Sequence, residues 1–240
     1  MDPYAWPFDP DTLLLVPLSL AAYFVVLRRF PATRWRIACF VSSQLLIFAV
    51  FDTPVETIAL GFLLCVHLLQ NVVVAEWAPA LAILGLPGGL AAQAERIPLV
   101  RRLTHPLVAL PLWLGNYYIW HIPYVYDLAL HHQQSILHLE HGLYFWTGSL
   151  MWWPVFHGRL SSGVRAGYVF AAFVLAAPLG LLVALVEQPA YDWYVEAPRL
   201  WGLSPIADQQ LAGVTMASEQ AVVLFAAFAF WFLRFMREEG

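Results

Sequence analysis

Seven stretches of this chain are apolar for long enough to cross a lipid bilayer, which decides the fold class before any single residue is considered. A bilayer core is about 30 Å thick and takes roughly 20 mostly apolar residues of helix. The stretches run at roughly 13–30, 35–51, 57–84, 106–127, 136–156, 165–187 and 209–235. In hydrocarbon every backbone N–H and C=O must be paired internally, so single runs of this length have to be helices. The expectation is therefore an all-α, polytopic membrane bundle of about seven transmembrane helices, a single integral membrane domain over residues 1–240. Charged residues make up only 12% of the chain, about half of the soluble average.

Arginine placement predicts the orientation. All twelve basic residues are arginines. With seven spans, Arg28, Arg29, Arg34, Arg36, Arg96, Arg101, Arg102, Arg159, Arg165, Arg234 and Arg237 fall on one side. Only Arg199 falls on the other, together with Asp2, Asp9, Asp11, Asp52, Glu56, Asp127, Asp192 and Glu196. The positive-inside rule then puts the N-terminus outside and the C-terminus in the cytoplasm of a cell inner membrane. The acidic start lacks a basic n-region, so the first span is expected to be retained. Loop 85–104 reads as a turn followed by an interfacial segment. Loop 188–208, rich in Pro, Trp and Tyr, is expected to lie over the outer helix ends at headgroup level. Trp152 and Trp153 read as part of an aromatic belt.

Several function classes are excluded. The chain has no phosphate loop, nucleophile elbow or HExxH helix. No basic patch offers itself to nucleic acid. The two cysteines, Cys39 and Cys65, both lie in apolar runs and do not suggest a structural disulfide.

Ionisable groups at membrane depth are functional candidates by default. Five of the eight histidines fall between Trp120 and Pro154. At about 1.5 Å rise per residue, His67 comes near the midplane, while His121, His141 and Met216 lie in the outer half. Four potential ligands on four helices thus share one leaflet. His67, Gln70 and Asn71 share a helix face, as do His138 and His141. Gln209, Gly213, Met216 and Gln220 form a polar stripe on the last span. Imidazole suits copper, zinc and iron, and a thioether favours Cu(I), so a copper site built from His67, His121, His141, Met216 and His138 is one reading. Interhelical hydrogen bonding is the other reading for each of these histidines, and packing is the simpler role for Met216. His138 stands close to the interface. Glu140 can orient a neighbouring imidazole. His131 and His132 read as solvated, and His105 and His157 as helix-end residues. Glu76, Glu187 and Glu219 need partners or protons in the hydrocarbon region.

Four stretches also resemble a known family, the caa3-type (CtaG-like) cytochrome c oxidase assembly factors. The most specific runs from Ala197 to Met216 and contains Asp208-Gln209-Gln210-Leu211-Ala212-Gly213. Trp120-His121-Ile122-Pro123 with Tyr126-Asp127 is similar to a second family motif, and Glu140-His141 with Phe145, Gly148 and Trp152-Trp153-Pro154-Val155 to a third. His67-Leu68-Leu69-Gln70-Asn71, preceded by Asp52-Thr53-Pro54, is similar to the family's third-helix motif. Two departures stand out: Asn71 where the family usually has a second His, and Ala217 where a Trp usually follows the Met. The resemblance implies a non-enzymatic multi-span protein needed to assemble haem–copper oxidase. It would hold copper, as Cu(I), and deliver it transiently to an oxidase subunit. His67, His121 and His141 would then be ligands, Met216 a soft ligand, and Asp208 and Gln209 would shape the mouth. Two rivals stand beside it. One is a haem- or quinone-linked redox protein with His pairs as axial ligands. The other is an ion or proton transporter using Glu76, Glu187 and Glu219.

Overall fold

Residues 2–240 are described by a computed structural model. They form helices and connections, with no strand among the described residues. The first half comprises α1 (Pro10–Leu27), α2 (Arg34–Phe51), α3 (Pro54–Gly61), α4 (Leu64–Val72), α5 (Ala78–Gly85), α6 (Gly88–Ala94) and α7 (Pro98–Leu103). Then follow α8 (Pro106–Trp120), α9 (Pro123–His131), α10 (His138–Phe156), α11 (Ser162–Leu185), α12 (Asp192–Glu196) and α13 (Pro205–Glu239). Single π turns join α4 to α5 (Val73–Trp77) and α9 to α10 (Gln133–Leu137).

Five of these helices are long and apolar enough to cross a membrane: α1, α2, the continuous Leu64–Gly85 unit, α11 and α13. The other two expected spans map onto α8, only 15 residues long, and onto α10, 19 residues long and carrying Glu140 and His141.

Local chemistry explains the helix boundaries. Asp9, Thr33, Thr53, Ser161 and Ser204 each cap a helix through a side-chain oxygen. Such caps satisfy N–H groups left over in the first turn. Proline accounts for two of the interruptions. The expected fourth span, 106–127, breaks at His121–Ile122, because Pro123 drives Ile122 into an extended conformation. Pro79 has no N–H for the carbonyl of Ala75, and the helix widens into the π turn just before it. The expected third span, 57–84, is broken too, at Phe62 and Leu63. The first two residues after that break donate their backbone N–H groups to Asp208 of α13, Leu64 at 2.8 Å and Cys65 at 2.9 Å.

Two buried clusters stack along the bundle. One contains Leu63, Leu68, Tyr117, Tyr126, Tyr144, Tyr194 and Met216. The other contains Trp113, Met151, Trp152, Val169, Leu224 and Trp231. The outside is apolar: Leu14, Leu18 and Val25 on α1, Leu181 and Leu185 on α11, and Val222 and Phe230 on α13 are exposed. Polar groups, by contrast, are concentrated inside. This pattern suits a lipid surround, where exposed apolar surface costs nothing and a polar group does.

Trp152 and Trp153 are buried, so they do not form a lipid-facing belt. Trp152 donates to the carbonyl of Glu76 at 3.0 Å. Tyr191 and Tyr194 of the 188–208 loop are likewise buried, in the first cluster.

Candidate functional site

The three histidines expected as ligands all reach the interior of the first cluster. His67 sits one turn into α4, just below the break that Asp208 holds. Its Nδ1 lies 2.7 Å from the Tyr194 hydroxyl and 2.9 Å from that of Tyr126. Tyr194 spends its only hydroxyl proton on the carbonyl of Ala59, 2.6 Å away. At His67 it can therefore only accept, which assigns the ring proton to Nδ1. Burial pushes the Tyr194 hydroxyl well above the ordinary phenol pKa, so that proton stays in place.

His121 reaches the same tautomer by a simpler route. Its Nδ1 is 2.8 Å from the carbonyl of Tyr117, one turn back. A carbonyl only accepts, so Nδ1 carries the proton. Tyr191 fixes the break itself by donating to the carbonyl of His121 at 3.2 Å. In both rings Nε2 is left with a bare lone pair, and both Nε2 atoms are buried without a partner among the described residues.

His141, one turn into α10, completes the set. Its Nε2 is also buried and unpartnered. The ring makes no side-chain hydrogen bond among the described residues and rests against Phe51, with centroids 4.9 Å apart. Its centroid lies 6.1 Å from that of His67. Tyr126 lies against both other imidazoles, 5.2 Å from His67 and 6.1 Å from His121. Three imidazole nitrogens thus sit buried and without partners among the described residues, which is uncommon because buried polar atoms almost always find partners. They do not yet converge. Among the described residues the one trio of His, Cys, Asp or Glu with ligand atoms within 4.8 Å of one another is Asp9, Asp11 and His138.

The remaining expected residues separate into different roles. Asn71, one turn below His67, donates to Glu140 at 3.4 Å, and Asn71 Oδ1 and Glu140 Oε2 have no partner among the described residues. Gln70 turns away, donating to Glu56 and to the carbonyl of Val50 at 3.0 Å. Met216 is buried in the same cluster, where a Cβ placed on Gly180 of α11 would lie 3.1 Å from its own Cβ. Gln209 accepts from the N–H of Ala190 at 2.6 Å and donates to the carbonyls of Val183 and Gln188, both at 3.3 Å. Asp208 and Gln209 therefore hold the helix break and the 188–208 loop in place by hydrogen bonding. His138 is half-exposed and lies outside the buried group, with Nδ1 3.4 Å from Asp11 Oδ2. His131 and His132 are exposed, and His105 caps α8, as expected.

A second polar group lies where the two clusters meet. Gln220 donates to Glu76 at 3.2 Å and to the Tyr117 hydroxyl at 2.7 Å. Trp77 donates to Glu219. Glu76 falls within the π turn, a distortion frequent at functional sites. Glu187 stands outside this group.

Sequence reasoning overlooked the tyrosines. Tyr117 precedes His121 by four residues and Tyr194 follows Tyr191 by three, both one-turn spacings. That periodicity was a signal, but aromatic residues in such a chain first suggest lipid anchoring.

A family model described as cytochrome c oxidase caa3 assembly factor matches residues 20–238. No curated protein and no solved structure matches the chain.

Proposed function

The chain belongs to the cytochrome c oxidase caa3 assembly factor family, and from that premise we propose that it holds copper at His67, His121 and His141 and passes it to an oxidase subunit. In this reading the bundle crosses a cell inner membrane seven times, with its N-terminus outside. The five long apolar helices and the sidedness of the arginines support that topology. The histidines then face the extracytoplasmic leaflet.

The observation that carries the proposal is the set of three buried Nε2 atoms without partners. In two of them the hydrogen bond at Nδ1 fixes the tautomer that leaves Nε2 free to ligate. Oxygen partners behind metal-binding imidazoles do this generally and raise ligand basicity. Neutral imidazoles with a thioether nearby suit Cu(I). Three ligands leave a coordination position open, through which a recipient's ligand can take the ion. No bond is made or broken within the chain, so the role is that of a carrier and not an enzyme.

Closure requires the ligand atoms to approach a common centre, at roughly 2 Å each. His141 is the member whose ring no side-chain hydrogen bond restrains among the described residues. His67 and His121 are held from behind. Asn71 stands where an imidazole is expected, and its amide engages Glu140 instead.

The proposal is tested in the host. Deletion of the gene should abolish copper-dependent oxidase activity, with restoration by added copper or by the wild-type gene and none by the His121→Ala gene. Full restoration by His121→Ala would refute the site.

The Glu76–Glu219–Gln220–Tyr117 group favours a second reading, proton transport. Proton flux in proteoliposomes that Glu219→Gln abolishes would establish it, and absence of flux in the wild type would eliminate it.

A further inference from the structure

His138 was expected to join the buried histidines. Instead it meets Asp9 and Asp11 at the start of α1, and the ligand atoms of the three lie within 4.8 Å of one another. The arrangement is held. Asp9 caps α1, accepting from the N–H of Asp11 at 3.1 Å and from the Thr12 hydroxyl at 2.7 Å. The N–H of Asp9 is in turn 3.4 Å from Asp52 Oδ1. Asp11 and His138 keep their side chains in solvent, 66% and 45% exposed.

The cluster is not isolated. It lines a cavity of about 560 Å³ between α1, α2, α5 and α10. Asp9, Asp11 and His138 line that cavity, and so does His141. His141 is only 7% exposed and its Nε2 has no partner among the described residues. His138 and His141 are three residues apart on one helix, about 4.5 Å along its axis. The cavity thus extends from an exposed set of two carboxylates and one imidazole to the largely buried ring of His141, one turn further along α10. Glu56 lines the same cavity, adding a further acidic group to its wall.

We propose that Asp9, Asp11 and His138 form a second metal site, which captures a divalent first-row transition cation from the solution at the mouth of the cavity that leads to His141. Two carboxylate oxygens and one imidazole nitrogen are a common donor set for such cations, distinct from the nitrogen-rich buried site. Mutual repulsion of the two carboxylates is relieved when a cation sits between them. Acidic groups at a low-dielectric opening also raise the local cation concentration. The capture site stands on its own geometry and is independent of the Cu(I) read at the buried histidines.

The test uses the full chain in nanodiscs of uncharged phosphatidylcholine, with Co²⁺ as the probe, followed by its visible absorption and by equilibrium dialysis. The wild type should bind one Co²⁺ at this site. Affinity should fall at least tenfold in Asp9→Asn/Asp11→Asn and in His138→Ala, and should be unchanged in His131→Ala/His132→Ala. Asp11→Asn alone, at an exposed position that does not cap the helix, guards against a folding defect and should also weaken binding. Equal Co²⁺ affinity in wild type, Asp11→Asn and His138→Ala would overturn the site. Loss confined to His131→Ala/His132→Ala would overturn it as well. Failure of the buried site is read separately, as copper content unaffected by His121→Ala while Co²⁺ binding at the mouth persists.

Discussion

Replacing Asp208 by Ala should loosen the break between α3 and α4 and release His67 from its position. The carboxylate accepts the N–H groups of Leu64 and Cys65 at 2.8 and 2.9 Å and has no exposed surface. Without it two buried donors lose their partner, and each unsatisfied group costs about 1–3 kcal/mol. Recovering the desolvation cost of the buried carboxylate offsets part of this, leaving a net loss of about 2–4 kcal/mol. Asp208→Asn keeps one acceptor oxygen and should lose about half as much, roughly 1–2 kcal/mol. Denaturant titration of the purified protein gives the free energies. Hydrogen exchange at the amides of Leu64 and Cys65 localises the loss, since those two should open first. Unchanged stability in Asp208→Ala, with both amides still protected, would refute the account of Asp208 as the cap of α4.

Other consequences concern packing and the imidazoles. A Cβ on Gly148 would stand 2.1 Å from the carbonyl oxygen of Ala75 and 2.9 Å from Pro79 Cγ. Gly148→Ala should therefore cost about 1–3 kcal/mol in the same titration, and a neutral effect would contradict this close approach of α10. Tyr194→Phe removes the oxygen that holds the His67 tautomer. It should weaken copper binding about 10–100-fold against a competing chelator while the fold persists, whereas unaltered affinity would disconnect Tyr194 from the site. Asn71→His adds an imidazole one turn below His67 and should slow copper release at least about tenfold, near 1.4 kcal/mol. Faster release would place Asn71 outside the site.

The long apolar runs and the caps made the helices legible, because both depend on residues adjacent in sequence. Pro123 and Pro79 carry the signal for the interruption at His121 and for the π turn. The break at Leu63 could not be found locally. Its capping carboxylate, Asp208, lies 144 residues from Leu64 and looks in sequence like a residue at the mouth of a site. Membership of His67, His121 and His141 in one buried region followed from their depth along the helices. That of His138 did not, because a helical face gives direction but not what stands opposite. Asp9 and Asp11 come from the other end of the chain.

Copper stoichiometry of the purified protein tests the central claim most directly. The wild type loaded with Cu(I) should retain about one copper at the buried site, and His67→Ala, His121→Ala and His141→Ala should each lose it. His138→Ala should retain it. Full copper content in His121→Ala and His141→Ala would contradict the assignment of these imidazoles as ligands.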